Sequence, residues 1–471
     1  MARLTSASLL ALLPVASALN LRHLPGATAG PGFVHVPVGR RNEESSPLVR
    51  RATDHTGATD LFNLQTTYTI NLTIAGQQTQ VVVDTGSTEL WVDPDCSTAS
   101  RASDDGDTTY VDTASTDPDR CEAVGRYDPK KSSSAKALDQ ASVFNYGDWT
   151  QVTVNYYQDT IDIGGITIEN QIFGVANASN QTGLGIMGIG PDGYYGYNKT
   201  QPYSLILDTM AAQGQINSRA FSLDLRDYDN STGSLIFGGV DKGRFSGSLQ
   251  KLPLFTVRMT QGDQSYANFG YWTTVQSLAL AQPGSDSSKS YSLPGGSISA
   301  VLDSGTSDIL VPDGIKEQVC ADVNGTLSQD GSNCQVDCGV RALDGGLDVG
   351  FAGKVIRVSY ENLVSTLTYQ GTTVCYLNVS PRTRQTDPKT YILGAPFLRS
   401  AYAVFDWDNQ NVHLAQAADC GSDIVAIGNG TDAVPTDKGN CKEASSNSVR
   451  GVTANAWLML CLAVFGVLIA L

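Results

Sequence analysis

The sequence predicts an all-β protein built as two homologous lobes, and three observations carry that reading. VVVDTGST (Val81 to Thr88) recurs as AVLDSGTS (Ala300 to Ser307), with the aspartates 219 residues apart. Each copy is followed by a second shared piece, GIMGIG at Gly185 to Gly190 and YILGA at Tyr391 to Ala395. A repeat of this length and order is the mark of a duplicated unit. Between these landmarks, apolar residues alternate with polar ones in short runs separated by glycine turns.

The elements follow from those patterns. Tyr68, Ile70, Leu72 and Ile74 give one strand, Val152, Val154 and Tyr156 another, then Ile161 with Ile163 and Ile166 with Ile168. Gly76, Gly164-Gly165 and Gly238-Gly239 supply the turns. Helical periodicity is confined to Ser204–Gln213 and Asp313–Asp322. Asp104–Asp119 is acidic and poor in apolar residues, and reads as a solvated insertion. The lobes are expected at 52–245 and 246–420, with the join near Gly239 to Lys251, and 421–445 as a linker.

The ends read as addresses. Residues 1–18 have an early arginine, an apolar run and a small-residue cleavage site, the layout of a secretory signal peptide. Ala456 to Leu471 carries no charge and follows small polar residues at 444–447, the layout of a glycolipid-anchor signal. Residues 446–471 would be removed, with Ser445 as the attachment residue. Residues 19–51 carry five arginines against two glutamates and end at Arg50-Arg51, a dibasic site suited to a kexin-like processing protease. Ala52 to Ser445 carries 24 basic and 45 acidic residues, so a basic pro-segment held electrostatically on an acidic body is expected.

A secreted route fits eight N-x-S/T sequons, at Asn71, Asn177, Asn180, Asn198, Asn230, Asn324, Asn378 and Asn429. It also fits nine cysteines read as disulfides. Cys96 and Cys121 flank the acidic insertion and are expected to pair, and Cys420 and Cys441 close the end. Cys320, Cys334, Cys338 and Cys375 allow three connectivities, among which the sequence does not choose.

The formal charge of −16 argues against nucleic acid or anionic lipid as a partner. Four scattered histidines do not form a metal-site pattern, and neither GxSxG nor HExxH occurs. Gly183 to Gly188 spells GxGxxG, but a sequon-bearing loop precedes it and Pro191-Asp192-Gly193 stands where a helix should grow, so no dinucleotide site or other cofactor is expected.

The chemistry then rests on the repeated aspartates. Three apolar residues lead each into a buried strand end, where a lone carboxylate is costly. If the lobes are related by a pseudo-twofold axis, Asp84 meets Asp303 at their interface. Two carboxyls that close share one proton, and the pair can act as general acid and general base on a water held between them.

From Thr67 to Ala415 the chain resembles the pepsin-type aspartic endopeptidases, carried by DTGSTELWV, Tyr146-Gly147-Asp148, GIMGIG, LIFGGVDKGRFSG, DSGTS and ILGAPFLRSAYAVFDWDNQNVHLA. DSG in the second lobe, the anchor signal and the acidic insertion resemble the fungal yapsin branch. The resemblance implies a bilobal pepsin-like fold with the site in the cleft between the lobes, a monomer acting on peptides and proteins, and Asp84 and Asp303 as the catalytic dyad. Thr85 and Ser304 would lock the lobes, and Ser87 and Thr306 would bind the outer carboxylate oxygens. Gly86 and Gly305 would admit substrate backbone, while Gly188 and Gly394 would pack behind the loops. Tyr146 would be the flap tyrosine, hydrogen-bonded to Trp91, with Gly147 and Asp148 beside it facing substrate. Trp149 stands where the family usually has a flap glycine. The leader has no lysine, so the family's pro-segment lysine is unmatched. Glu89 and Asp308, each five residues past its aspartate, are expected to face outward.

Two other readings belong to different classes. An inactive pepsin-like binding protein at the cell surface would be signalled by loss of either aspartate, and both are present. A structural wall glycoprotein would show long Ser/Thr stalks, which the sequence lacks.

Overall fold

The computed structural model describes residues 28–30, 33–40, 68–93, 125–147, 151–179, 184–191, 203–228, 232–261, 264–285, 287–369, 372–381 and 390–443. Strands dominate them, as the alternation requires. Tyr68, Ile70, Leu72 and Ile74 all point into the core from strand Tyr68–Ile74, while Asn71 points out. The chain reverses through Ala75 and Gly76, both at positive φ, into Gln77–Asp84. Gln151–Ile163 and Ile166–Ser179 form a long hairpin closed by Gly164-Gly165, again at positive φ, where glycine costs nothing. The two helices expected from periodicity are present as Ile206–Ala212 and Ile315–Asp322. Two short ones, Tyr360–Leu363 and Ala395–Ser400, were not visible in the pattern.

The sequence repeat is a structural repeat. In the first half Gln77–Asp84 pairs parallel with Gly185–Gly188, setting Asp84 opposite Gly188, and Leu90–Val92 returns antiparallel on the same glycine strand. In the second half Ile298–Leu302 pairs parallel with Tyr391–Leu393, and Ile309–Val311 returns antiparallel on it. Each aspartate loop is thus clasped by two strands around a third. A Cβ on Gly188 would lie 2.5 Å from the Glu89 amide nitrogen, and one on Gly394 would lie 2.2 Å from the Asp308 carbonyl oxygen. Both glycines let the loop close over the strand behind it.

One sheet crosses between the halves. Its strands run in the order Phe245–Pro253, Asn411–Ala417, Ala401–Asp406, Ala220–Asp224, Thr232–Phe237, Phe33–Arg40 and Tyr68–Ile74 before continuing into the first half. The sixth of these lies in the leader. Val34 to Gly39 pair with Phe237 to Thr232, and Gly39-Arg40 with Thr69-Tyr68. Charge suggested an electrostatically held leader; its described part is held by main-chain pairing on both sides, which satisfies amides and carbonyls that charge patterning does not address.

The segment expected as a linker is instead packed down. Ile424–Ala426 pairs with Gly239–Asp241, and Ile427 and Val434 are buried in a cluster with Phe245 and Tyr402. Cys420–Cys441 closes that segment, and Cys320–Cys334 with Cys338–Cys375 resolves the open connectivity. No helix among the described residues is long and apolar enough to cross a membrane. The signal, the acidic insertion with Cys96 and Cys121, Asp148, Trp149, Asn180, Asn198, Asn230, Ser445 and the apolar tail lie outside the described residues.

Candidate active site

The two aspartate loops meet face to face. Thr85 donates from its hydroxyl to the Leu302 carbonyl at 2.9 Å, and Ser304 donates from its hydroxyl to the Val83 carbonyl at 2.8 Å. The Thr85 amide donates to the Ser304 hydroxyl at 3.0 Å, and the Ser304 amide to the Thr85 hydroxyl at 2.9 Å. Serine in place of threonine keeps this reciprocal set intact, because only the hydroxyl takes part.

That lock fixes the carboxyls. Gly86 and Gly305 donate their amides to the Oδ1 atoms of Asp84 and Asp303, each at 2.8 Å. The Ser87 hydroxyl donates to Asp84 Oδ2 at 2.5 Å, and the Thr306 hydroxyl to Asp303 Oδ2 at 2.6 Å. Each carboxyl packs against the glycine of the opposite loop. A Cβ on Gly86 would lie 2.6 Å from Asp303 Cγ, and one on Gly305 would lie 2.6 Å from Asp84 Oδ1. The glycines are therefore required first by the opposite aspartate, a tighter constraint than the room for substrate that the resemblance implied.

Asp84 is buried, and its carboxyl is pushed up to about 7, first by desolvation and then by the neighbouring Asp303 charge, against the pull of Ser87 and Gly86. A protonated Asp84 beside an acceptor carboxyl can give and take a proton at one point in space.

Strands Lys136–Asn145 and Gln151–Ile163 form a hairpin with Asn145 opposite Gln151. Tyr146 and the exposed Gly147 begin its tip. The fully buried Trp91 donates its indole N–H to the Tyr146 hydroxyl at 2.7 Å, which ties the tip to the strand after the Asp84 loop.

Residues 67–417 match the family described as Eukaryotic aspartyl protease. The chain belongs to that family. A probable aspartic-type endopeptidase opsB of Aspergillus oryzae is 31% identical over 415 residues, covering 84% of this chain and 79% of its own. Candidapepsin of Candida tropicalis is 32% identical over 394 residues, covering 82% and 88%. Secreted aspartic protease 4 of Candida albicans is 31% identical over 380 residues, covering 79% and 81%. This aspartyl protease is a peptide-bond hydrolase of the aspartic endopeptidase class, and its all-β architecture is the one the family implies.

Two expectations change. Asn378 is 5% exposed, its Nδ2 donates to the Ser307 carbonyl at 3.3 Å, and its Oδ1 accepts from the Ser365 amide. A side chain so enclosed braces the second aspartate loop and has no room for a glycan; Asn71, Asn177, Asn324 and Asn429 are exposed. Glu89 does not face outward: it is 5% exposed and accepts from the phenols of Tyr156 and Tyr203. Its counterpart Asp308 is half-buried and accepts from the Ser380 hydroxyl. Sequence reasoning missed the Glu89 partners, because Tyr156 and Tyr203 lie 67 and 114 residues away with no motif to link them.

Proposed function

We propose that Asp84 and Asp303 form the catalytic dyad of this endopeptidase, sharing one proton and activating a water between them. One carboxylate would take the water's proton as it attacks the peptide carbonyl, while the protonated partner donates to the carbonyl oxygen; the roles then reverse to protonate the leaving amine. The observation that carries the reading is the reciprocal Thr85–Ser304 lock, which holds two carboxyls together despite their mutual repulsion. Ser87 and Thr306 orient the outer oxygens, Gly86 and Gly305 permit the approach, and Tyr146 with Gly147 and Asp148 would close over the bound peptide. Cleavage of a peptide library with and without a statine inhibitor tests it: loss of all cleavage on inhibition is expected, and cleavage that persists would count against the dyad.

The proposal extends to the chain's itinerary. A signal at 1–18, processing after Arg51 by a kexin-like protease and lipid attachment at Ser445 would deliver a yapsin-like enzyme to the outer face of the plasma membrane or the wall, glycosylated in part and acting as a monomer. The names of the relatives, candidapepsin and secreted aspartic protease 4, support an extracellular site of action. Exposure of Asn71, Asn177, Asn324 and Asn429 supports glycans there.

A further inference from the structure

We propose that Glu89 is a positioning residue: its carboxyl latches the flap strand and the chain at Tyr203 to the Asp84 loop, and its ionisation loosens that latch. The inference rests on the endopeptidase reading for its kinetic part only.

The main chain aims the side chain. The Glu89 carbonyl accepts from the Gly188 amide at 3.0 Å, within the clasp that holds the aspartate loop. One carboxyl oxygen, Oε2, accepts from the Tyr156 phenol at 2.6 Å and from the Tyr203 phenol at 2.7 Å. The two rings meet edge-on with centroids 5.7 Å apart. Tyr156 belongs to Gln151–Ile163, the second strand of the flap hairpin, and Trp91, two residues past Glu89, tethers Tyr146 at the flap tip. Thus two adjacent anchors join this hairpin to the loop bearing Asp84, one through an indole and one through a carboxyl.

The other carboxyl oxygen, Oε1, is buried and has no hydrogen-bond partner among the described residues. A protonated Glu89 suits this arrangement, with Oε2 as the carbonyl oxygen accepting both phenols and Oε1 carrying the proton. An ionised Glu89 would leave a bare anionic oxygen in the core. The titratable groups facing it are the phenols of Tyr156, from the flap strand, and Tyr203; no charged side chain acts on it among the described residues. The matched acid in the second half differs, since Asp308 feels the charges of Lys316 and Arg399. Burial accordingly pushes the Glu89 carboxyl up to about 7, against the opposing pull of the two phenols. Above that pH the anion would hold the phenols more strongly but leave Oε1 unsolvated, and opening the core to admit water there would loosen the flap strand.

The test uses the full processed enzyme and the variants E89Q, E89A and Y203F, assayed for kcat/KM on a fluorogenic peptide and for thermal unfolding from pH 4 to 8. E89Q keeps an acceptor for both phenols and cannot ionise, so at pH 4 to 5 it should match the wild type within about twofold, whereas E89A should lose about tenfold, chiefly through KM. At neutral pH the wild-type activity should fall with the steepness of two protons, dyad and Glu89, and E89Q with that of one. Because the folded-state value is raised, the Glu89 contribution is fully present below its ordinary range and lost as pH rises through about 7; melting of the wild type should therefore drop relative to E89Q over that interval. Y203F removes a donor that favours the ionised form and should move the Glu89 limb to higher pH. E89Q profiles that superimpose on the wild type in both slope and melting would overturn the proposal, as would an unmoved limb in Y203F. Melting needs no turnover, so it judges Glu89 even if the dyad assignment fails.

Discussion

The Thr85 and Ser304 hydroxyls each accept from the other residue's amide and each donate to a carbonyl of the opposite loop, so four hydrogen bonds cross between the halves at two side chains. All the groups involved are buried. Removing either hydroxyl orphans an amide and a carbonyl at once, and each buried orphan costs about 1–3 kcal/mol. Thr85→Val and Ser304→Ala should each lower the unfolding midpoint in urea and depress kcat, because the carboxyl spacing relaxes with the lock. Ser304→Thr should preserve both. A Thr85→Val enzyme with unchanged midpoint and rate would show that the lock is dispensable.

The dyad makes a prediction with a sign. Asp84 is raised to about 7 by burial and by Asp303, so the shared proton is present in acid and leaves as pH rises through about 7. Activity should be held at acidic pH and fall through neutrality. Stability carries the same sign, being full below the ordinary carboxylate range and lost as pH rises toward 7. Asp84→Asn and Asp303→Asn should each reduce kcat by at least about a thousandfold with the fold kept, as judged by circular dichroism. Residual activity of more than a few per cent in either variant would refute a two-carboxyl mechanism.

Much of this site was legible in the sequence because its parts are local. Asp84 to Ser87 and Asp303 to Thr306 are contiguous turns, and the hydrogen bonds to each carboxyl come from residues two and three positions on. The repeat then brings the two turns together, since one unit clasped twice leaves only the lobe interface between them. What stayed hidden is what pairs at long range. Glu89 reads as a polar residue in a turn, and only the fold brings two distant tyrosines onto it. The leader strand was hidden for another reason: in FVHVPVGR the alternating valines are interleaved with Pro37 and Gly39, residues that weaken a strand reading, and the longer of its two sheet pairings is to Thr232–Phe237, far along the chain. Asn378 shows the limit of motif reading, because a sequon does not reveal that its side chain braces a loop.

His413 lies in strand Asn411–Ala417, 5% exposed, with Nε2 unpartnered among the described residues. Burial, helped by the Lys251 charge, lowers its imidazole to about 4. The unfolded chain binds that proton near 6.5, so folding becomes less favourable as pH falls from there toward 4, at a cost on the order of 3 kcal/mol. For an enzyme whose dyad favours acid, this histidine would oppose folding at the acid end of the range. Replacing it with a non-titrating residue of similar volume, His413→Phe or His413→Met, should flatten the loss of melting temperature between pH 6.5 and 4. Equal slopes in the wild type and both variants would place the acid sensitivity elsewhere.

The C-terminal clasp bears on anchoring. Cys420–Cys441 and the pairing of Ile424–Ala426 with Gly239–Asp241 hold the chain to the body up to residue 443. Attachment of lipid at Ser445 would then leave almost no free tether between body and membrane. The mature C-terminus should be found at Ser445 by mass spectrometry, and a phosphatidylinositol-specific phospholipase should release the enzyme from membranes. Recovery of Leu471 in the mature protein would exclude the anchor.

Substrate choice is expected to turn on Asp148, two residues past Tyr146 in the sequence. In the pepsin-type enzymes that this chain resembles, that position faces the side chain just before the scissile bond. A carboxylate in a partly desolvated pocket gains from a cationic partner, because screening there is weaker than in bulk water. The strongly acidic body would add long-range attraction for basic peptides. Asp148→Thr should therefore depress kcat/KM for peptides with Lys or Arg before the scissile bond by about tenfold or more, while sparing those with Leu or Phe. The effect should shrink at high ionic strength, since part of it is electrostatic. An even loss across basic and apolar substrates would instead assign Asp148 to the shape of the hairpin.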